Sequence, residues 1–250
     1  MSRISSLSIV DPASLPHVWR VADLASEKAG LPTGHALLDQ SLPGGGWPPG
    51  SLIEVLQQRP GQHVWQLLLP VLVAQTEAHS IGPIVLVGAP YQPFGPGLSA
   101  QGLSADRLLC VRAEKLSARL WAAEQALRCA EVSAVMAWLP EARAEELRRL
   151  HMAAQQQGRL LFVFRSWKAR HEASPASLRI LVDGLDSLAL HIVKRRGPPM
   201  MSPLELPAHP ARLAALLRAR KGRAANRLAQ AAPDSMPRRS HVLDRTASPA

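Results

Sequence analysis

The stretch GSLIEVLQQRPGQHVWQLLLP, Gly50 to Pro70, holds the residue types and spacing that come nearest to a chemical site. An apolar β-type run from Leu52 to Leu56 enters a Pro60-Gly61 turn, and an amphipathic stretch leaves it. Strand, loop and helix in that order is the frame on which a chain cradles phosphate. Such a loop works when glycines let backbone N–H groups converge, a lysine reaches the β- and γ-oxygens, and a Ser or Thr holds Mg2+. Gln57-Gln58-Arg59-Pro60-Gly61-Gln62-His63-Val64 keeps one glycine and neither the lysine nor the hydroxyl. Pro60 has no N–H to give. His63 stands where the lysine belongs, and Val64 and Trp65 cannot ligate a metal. Arg59 reads either as a phosphate contact or as a solvated loop residue. Arg59, Pro60, Gly61, His63 and Val64 thus make a degenerate phosphate loop, and no cofactor is expected on it.

The carboxylates that would complete phosphoryl transfer are also missing. The strand that would end in a Mg2+-supporting Asp is Ala134 to Leu139, with Pro140 after it, and its end is apolar. The strand that would deliver a water-activating Glu is Val85 to Gly88, and Pro90 occupies the carboxylate's place. In-line phosphoryl transfer draws its rate from positioned charge, so catalysis is not expected. Other chemistries have less support. The nine His include no pair at metal-ligand spacing, Cys110 and Cys129 do not supply one, and no Gly-x-Ser-x-Gly elbow frames a nucleophile. The two cysteines, inside apolar or helical segments, read as buried reduced thiols.

The elements that would position such a loop alternate along the chain. Strands are expected at 51–56, 83–88, 107–111, 133–138 and 159–165, with helices at 62–79, 115–130 and 141–157 between them. The strand runs are continuously apolar, which implies burial on both faces and a mostly parallel sheet. The last helix carries Glu145 and Glu146 in its first turns, an inward stripe of Leu147, Leu150 and Ala154, and Gly158 at its end. Thr33-Gly34 reads as the start of a short helix through Leu38. Runs 177–183 and 187–193 read as a hairpin closing one sheet edge. The fold class is therefore α/β with three layers.

Charge is unevenly placed. Of the net +10, residues 194–250 carry +9, so the rest of the chain is nearly neutral. That asymmetry points to an appended interaction segment. The division is an N-terminal extension at 1–30, a core at 31–197, a Pro-rich linker at 198–210, a basic helix at 211–231 and a disordered tail at 232–250. Leu213, Leu216 and Leu217 give the basic helix a thin apolar face beside Arg218, Arg220, Lys221, Arg223 and Arg227. It reads as a solvated extension, a helix that docks in a partner's groove, or a neutraliser of DNA phosphates. A second surface is the loop from Ser166 to Ser177, where Trp167 stands beside Lys168 and Arg170, a candidate DNA contact. No run of 18 apolar residues or leader-like core is present, so a cytoplasmic protein with no membrane contact is expected.

The order of these pieces resembles the RecA family. PTGHALLDQSLPGGGWPPGSLIEVL, from Pro32, resembles its entry into the phosphate-loop strand, and LSADRLLCV the approach to its third strand. The set formed by Trp19-Arg20, LPGGGWPPGSLIEVL, Arg59-Pro60-Gly61 with LLLP, ASPASLR (Ala173 to Arg179) and VKRRGPP (Val193 to Pro199) is similar to the ImuA family of bacterial mutagenesis proteins. The division inhibitor SulA shares that ancestry. The resemblance implies a RecA-like, P-loop NTPase-type core. It implies a non-catalytic adaptor in SOS-induced translesion synthesis, with an ImuB-like polymerase-related protein, an error-prone DNA polymerase and RecA as partners and DNA contact indirect or weak. The alternatives are a SulA-like division inhibitor and an atypical DNA-stimulated ATPase. Trp47, Trp65 and Trp138 fall where a nucleotide would sit, and read as fillers of that space or as a partner surface.

Overall fold

Parallel neighbours require a crossover long enough for a helix, and the spacing of the apolar runs supplies it. The computed structural model describes residues 29–79, 82–184, 187–207, 219, 220, 222 and 223. Its strands are β1 (Leu52–Gln57), β2 (Ile84–Val87), β3 (Leu108–Val111), β4 (Ala134–Trp138), β5 (Leu160–Ser166), β6 (Leu178–Asp183), β7 (Leu188–Lys194) and β8 (Leu204–Leu206). They form one sheet in the order β3-β2-β4-β5-β1-β6-β7-β8. Pairing is parallel from β3 to β6 and antiparallel at β7 and β8. The helices are α1 (Ala36–Ser41), α2 (Val64–His79), α3 (Gly95–Ser99), α4 (Leu116–Arg128) and α5 (Ala144–Gln157).

The sheet separates two apolar clusters. Ile53, Val55, Phe162 and Phe164 face Leu38 of α1 and Leu67, Leu68 and Leu72 of α2. Leu52, Leu161 and Val163 face Ala123 and Leu127 of α4 and Leu147, Leu150 and Ala154 of α5. Alternation along each strand therefore feeds two cores, giving an α/β chain with helices on both faces of a mostly parallel, mixed sheet.

Helix starts are later than the sequence suggests, for local reasons. Residue His63 has φ 53°, a left-handed conformation that a helix cannot include, so α2 begins at Val64. The Glu146 carboxylate accepts the Arg143 N–H at 2.7 Å, which fixes Arg143 outside α5. Gly158 closes α5 with φ 64°, and the carbonyls of Ala154 and Gln155 accept from the backbone N–H groups of Arg159 and Gly158.

Pro70 lies inside α2 and gives no N–H to the carbonyl of Gln66 four residues before it. His35 Nε2 lies 3.1 Å from that carbonyl and donates in its place. Gly34, at φ 81°, lets the segment close on the ring, since a Cβ there would stand 2.2 Å from Pro70 Cβ. The Thr33-Gly34-His35 turn and the proline are thus complementary parts of one contact.

Two expectations are corrected. The hairpin β6–β7 does not close the sheet, because β8, inside the stretch read as a linker at 198–210, pairs with β7 through Leu188↔Leu206 and Leu190↔Leu204. Cys110 and Cys129 are free and exposed, not buried. Cys110 lies on β3, which among the described residues has a neighbour on one side alone, and Leu109 beside it is 52% exposed. An apolar run placed at a sheet edge loses the second covering layer. Helix α3 tolerates Pro96 because it sits in the first turn.

The chain divides into two units, residues 1–208 and 209–250. In the second, Ala219, Arg220, Gly222 and Arg223 are helical, and Arg223 Nε donates to Ala219 O at 3.4 Å. Leu213, Leu216, Leu217, Arg218, Lys221 and Arg227 lie outside the described residues, as do Trp19 and Arg20. Among the described residues no helix is long and apolar enough to cross a membrane.

Candidate functional site

The degenerate loop leaves β1 at its carboxyl end and leads into α2, as the sequence order requires. Its interior is filled by its own chain. Gln57, 4% exposed, donates from Nε2 to the Gln62 carbonyl at 2.6 Å and accepts the Gly61 N–H on Oε1 at 3.3 Å. A backbone donor that a phosphate loop would turn toward an anion is here turned toward a glutamine amide. The loop is also tied sideways. Gln62 Nε2 donates to the carbonyl of Gly184 at 2.6 Å, and His63 Nε2 stands 2.8 Å from the same oxygen. Gln58 reaches Asp183 Oδ1 at 3.1 Å. The side chain at the lysine position therefore holds the end of β6. Arg59 and Pro60 are exposed, and Val64 is buried in the core beneath α2.

The neighbouring strand ends are occupied too. Trp138, at the end of β4, stacks on Phe164 with ring centroids 4.4 Å apart and planes 15° from parallel. Trp47 packs edge-on against Phe162 at 5.4 Å, and Trp65 is half-buried against the same cluster. The Arg119 guanidinium lies over Gly88 at the end of β2 and donates to the carbonyls of Ala113 at 2.7 Å and Trp138 at 3.4 Å. Tyr91, 72% exposed, passes close to Gly61, where a Cβ would lie 3.0 Å from its ring. Phe94 of the same arm is 73% exposed.

A charged cluster lies beneath these strand ends on the α5 face, and the sequence reading passed over it. Glu54, in the middle of β1, is fully buried. Its Oε1 accepts from Arg165 Nη1 at 2.8 Å, and its Oε2 accepts from Arg179 Nε. Arg165 continues to Glu172 Oε2 at 2.6 Å. Burial pushes the Arg165 pKa down, but the hydrogen bonds and charges of Glu54 and Glu172 outweigh it and hold the guanidinium above its ordinary value. Register explains the geometry. Arg179 is the β6 partner of Glu54, and Arg165 lies two residues beyond its β5 partner Val163. A glutamate inside an apolar run such as LIEVL was the available signal, because a buried carboxylate requires a counter-charge.

The same cluster shapes the candidate DNA loop. Arg179 Nη2 donates to the carbonyl of Ala169 at 2.7 Å, and Nη1 to those of Glu172 at 3.1 Å and Arg170 at 3.2 Å. The segment Trp167–His171 is thereby folded into a 3-10 turn over the strand ends. Trp167, Lys168 and Arg170 are brought together on its outside, with the Arg170 guanidinium 5.2 Å from the Trp167 ring centroid. Among the described residues no group of His, Cys, Asp and Glu could hold a metal ion.

This arrangement can present a surface and hold it rigid. No family model matches the chain. A stretch of 108 residues is 32% identical to the cell division inhibitor SulA of Edwardsiella piscicida, covering 43% of this chain and 64% of that protein. The chain is similar to SulA over part of its length. It thus spans somewhat less than two thirds of that curated relative. The crystal structure of SulA from Pseudomonas aeruginosa matches 46% of this chain and 97% of its own at 26% identity, with a TM-score of 0.38.

Proposed function

We propose that the chain is a non-catalytic adaptor of the bacterial DNA-damage response, built on a RecA-like core and working by protein contact. The observation that carries the reading is the closure of the β1–α2 loop by Gln57, with Gly61 N–H and Gln62 C=O both engaged by its amide. The SulA-like stretch and the motifs similar to the ImuA family support the same setting. In it the partners are an ImuB-like protein, an error-prone polymerase and RecA, while Trp167, Lys168 and Arg170 supply a weak contact to single-stranded DNA by stacking and charge.

Phosphate release from ATP should equal the buffer blank with and without single-stranded DNA, and the ImuB-like partner should co-purify with the chain from damaged cells. Turnover above the blank would overturn the non-catalytic reading. Removal of the basic tail tests its docking role. Because β8 belongs to the sheet, the cut belongs after residue 208, the end of the first unit. Loss of partner capture is the expected result.

A second reading, a division inhibitor, is favoured by the 32% identity to SulA. It predicts that the purified chain blocks assembly of a filament-forming division protein, whereas the adaptor reading predicts unchanged assembly.

A further inference from the structure

The amino ends of the parallel strands hold a cavity of about 260 Å3. Its apolar wall includes Leu42, Pro43, Pro48 and Pro49. Its polar wall includes Arg195 and Arg196 after β7, His151 of α5, and Ser51 and Ser177, which precede β1 and β6. Among the described residues no acidic side chain lines it.

These groups are donors left over from structural duty. Arg195 donates from Nε to the Pro198 carbonyl at 3.0 Å and from Nη1 to the Ser41 carbonyl, so the guanidinium is fixed in place. Its Nη2 has no partner among the described residues. Arg196 is exposed and likewise unpartnered among them. His151 Nδ1 accepts the Leu52 N–H at 3.0 Å, which requires the proton of the neutral ring to sit on Nε2. A backbone hydrogen bond thus sets the tautomer and leaves an N–H donor on a cavity-lining ring. At the C-terminal end of α5 the carbonyls of Ala154 and Gln155 are engaged in its cap, which takes two of the four terminal carbonyls out of those left bare.

We infer that this cavity binds a phosphomonoester, with Arg195, Arg196 and His151 Nε2–H on the phosphate and the proline wall against the group that carries it. Guanidinium pairs and fixed N–H donors match a dianionic phosphate, whose oxygens accept several hydrogen bonds at once. The site lies at the opposite ends of the strands from the β1–α2 loop, and the inference stands apart from the proposed adaptor role.

The test is calorimetric titration of the full chain with adenosine monophosphate, adenosine, and a tetranucleotide with and without a 5′-phosphate. Both phosphorylated ligands should saturate the site and their unphosphorylated counterparts should not; the ratio between the two phosphorylated arms tells a free nucleotide from a strand end. Arg196→Ala should weaken the phosphorylated ligands about tenfold, the scale of one charge-assisted hydrogen bond. Arg112→Ala, which removes an exposed arginine beyond β3, should leave them unchanged. Equal binding with and without phosphate, or equal losses in the two arginine variants, would overturn the site.

Discussion

At the carboxyl ends of β1, β5 and β6, polar side chains are matched to the chain itself. Gln57 fills its own loop, His63 and Gln62 hold Gly184, and Arg179 holds three carbonyls of the turn above it. At the amino ends of β1 and β6, arginines and hydroxyls line a cavity that contains no acid. α/β sheets ordinarily take ligands outside the carboxyl ends of their strands. Here Gln57, Gln62, His63 and Arg179 spend their hydrogen bonds at that end on the chain itself, although Trp138 Nε1 and Arg165 Nε stay buried there without a partner, while at the other end Arg196 is unpartnered among the described residues. The contrast separates a loop closed by its own side chains from a cavity where donors remain available.

The largest break should come from Glu54. Glu54→Gln takes from Arg165 and Arg179 the carboxylate buried between them, and the cost should be about 3–5 kcal/mol by urea unfolding. Replacing Glu54, Arg165 and Arg179 together by Leu, Met and Leu should cost less, because no buried charge is left unpaired and Glu172, the remaining partner, is exposed to solvent. Gln57→Ala comes next, at about 1–3 kcal/mol, since it leaves the Gly61 N–H and Gln62 carbonyl without their partner.

A smaller effect concerns pH at the amino end. Burial, and then the Lys194 charge, lower the His151 pKa below its ordinary 6.5. The unfolded chain therefore takes up the proton first, so this contribution to stability is complete above pH 6.5 and is lost as pH falls below it. Midpoints measured across that window should decline with acid, and His151→Asn, whose Oδ1 occupies the Nδ1 position that accepts the Leu52 N–H, should flatten the decline. The smallest effect is expected from the double variant His63→Lys with Val64→Thr. It restores the loop's missing residue types, yet phosphate release should stay at the blank, because Gln57 still fills the loop and Trp138 and Pro90 still stand where carboxylates belong. Measurable turnover there would dissolve the contrast between the two ends.

The alternation of strands and helices was legible because continuous apolar runs such as PIVLVG report burial on both faces. The strand, loop and helix order of the stretch from Gly50 to Pro70 was legible for the same local reason: it is written in consecutive residues. What the sequence hid depends on register. Glu54 gains meaning only when β5 and β6 flank β1, and neither neighbour is adjacent in sequence. The cavity is harder still, since His151, Ser177 and Arg196 come from three separate elements. β8 escaped because three residues among prolines carry too little pattern to stand out as a strand. Cys110 was misread because an apolar neighbourhood in sequence does not say whether a strand sits inside the sheet or at its rim, and Cys129 because it caps the end of α4 and does not lie on its inward face.

Pro70 has a bearing on how the chain assembles. A helix with a first-turn carbonyl completed by a histidine 31 residues earlier cannot reach full stability by itself. Helix α2 and the turn at Thr33 to His35 should therefore gain and lose protection from hydrogen exchange together, as one cooperative unit. A segment that looks like a preface to the sheet is in this sense part of the helix that follows it.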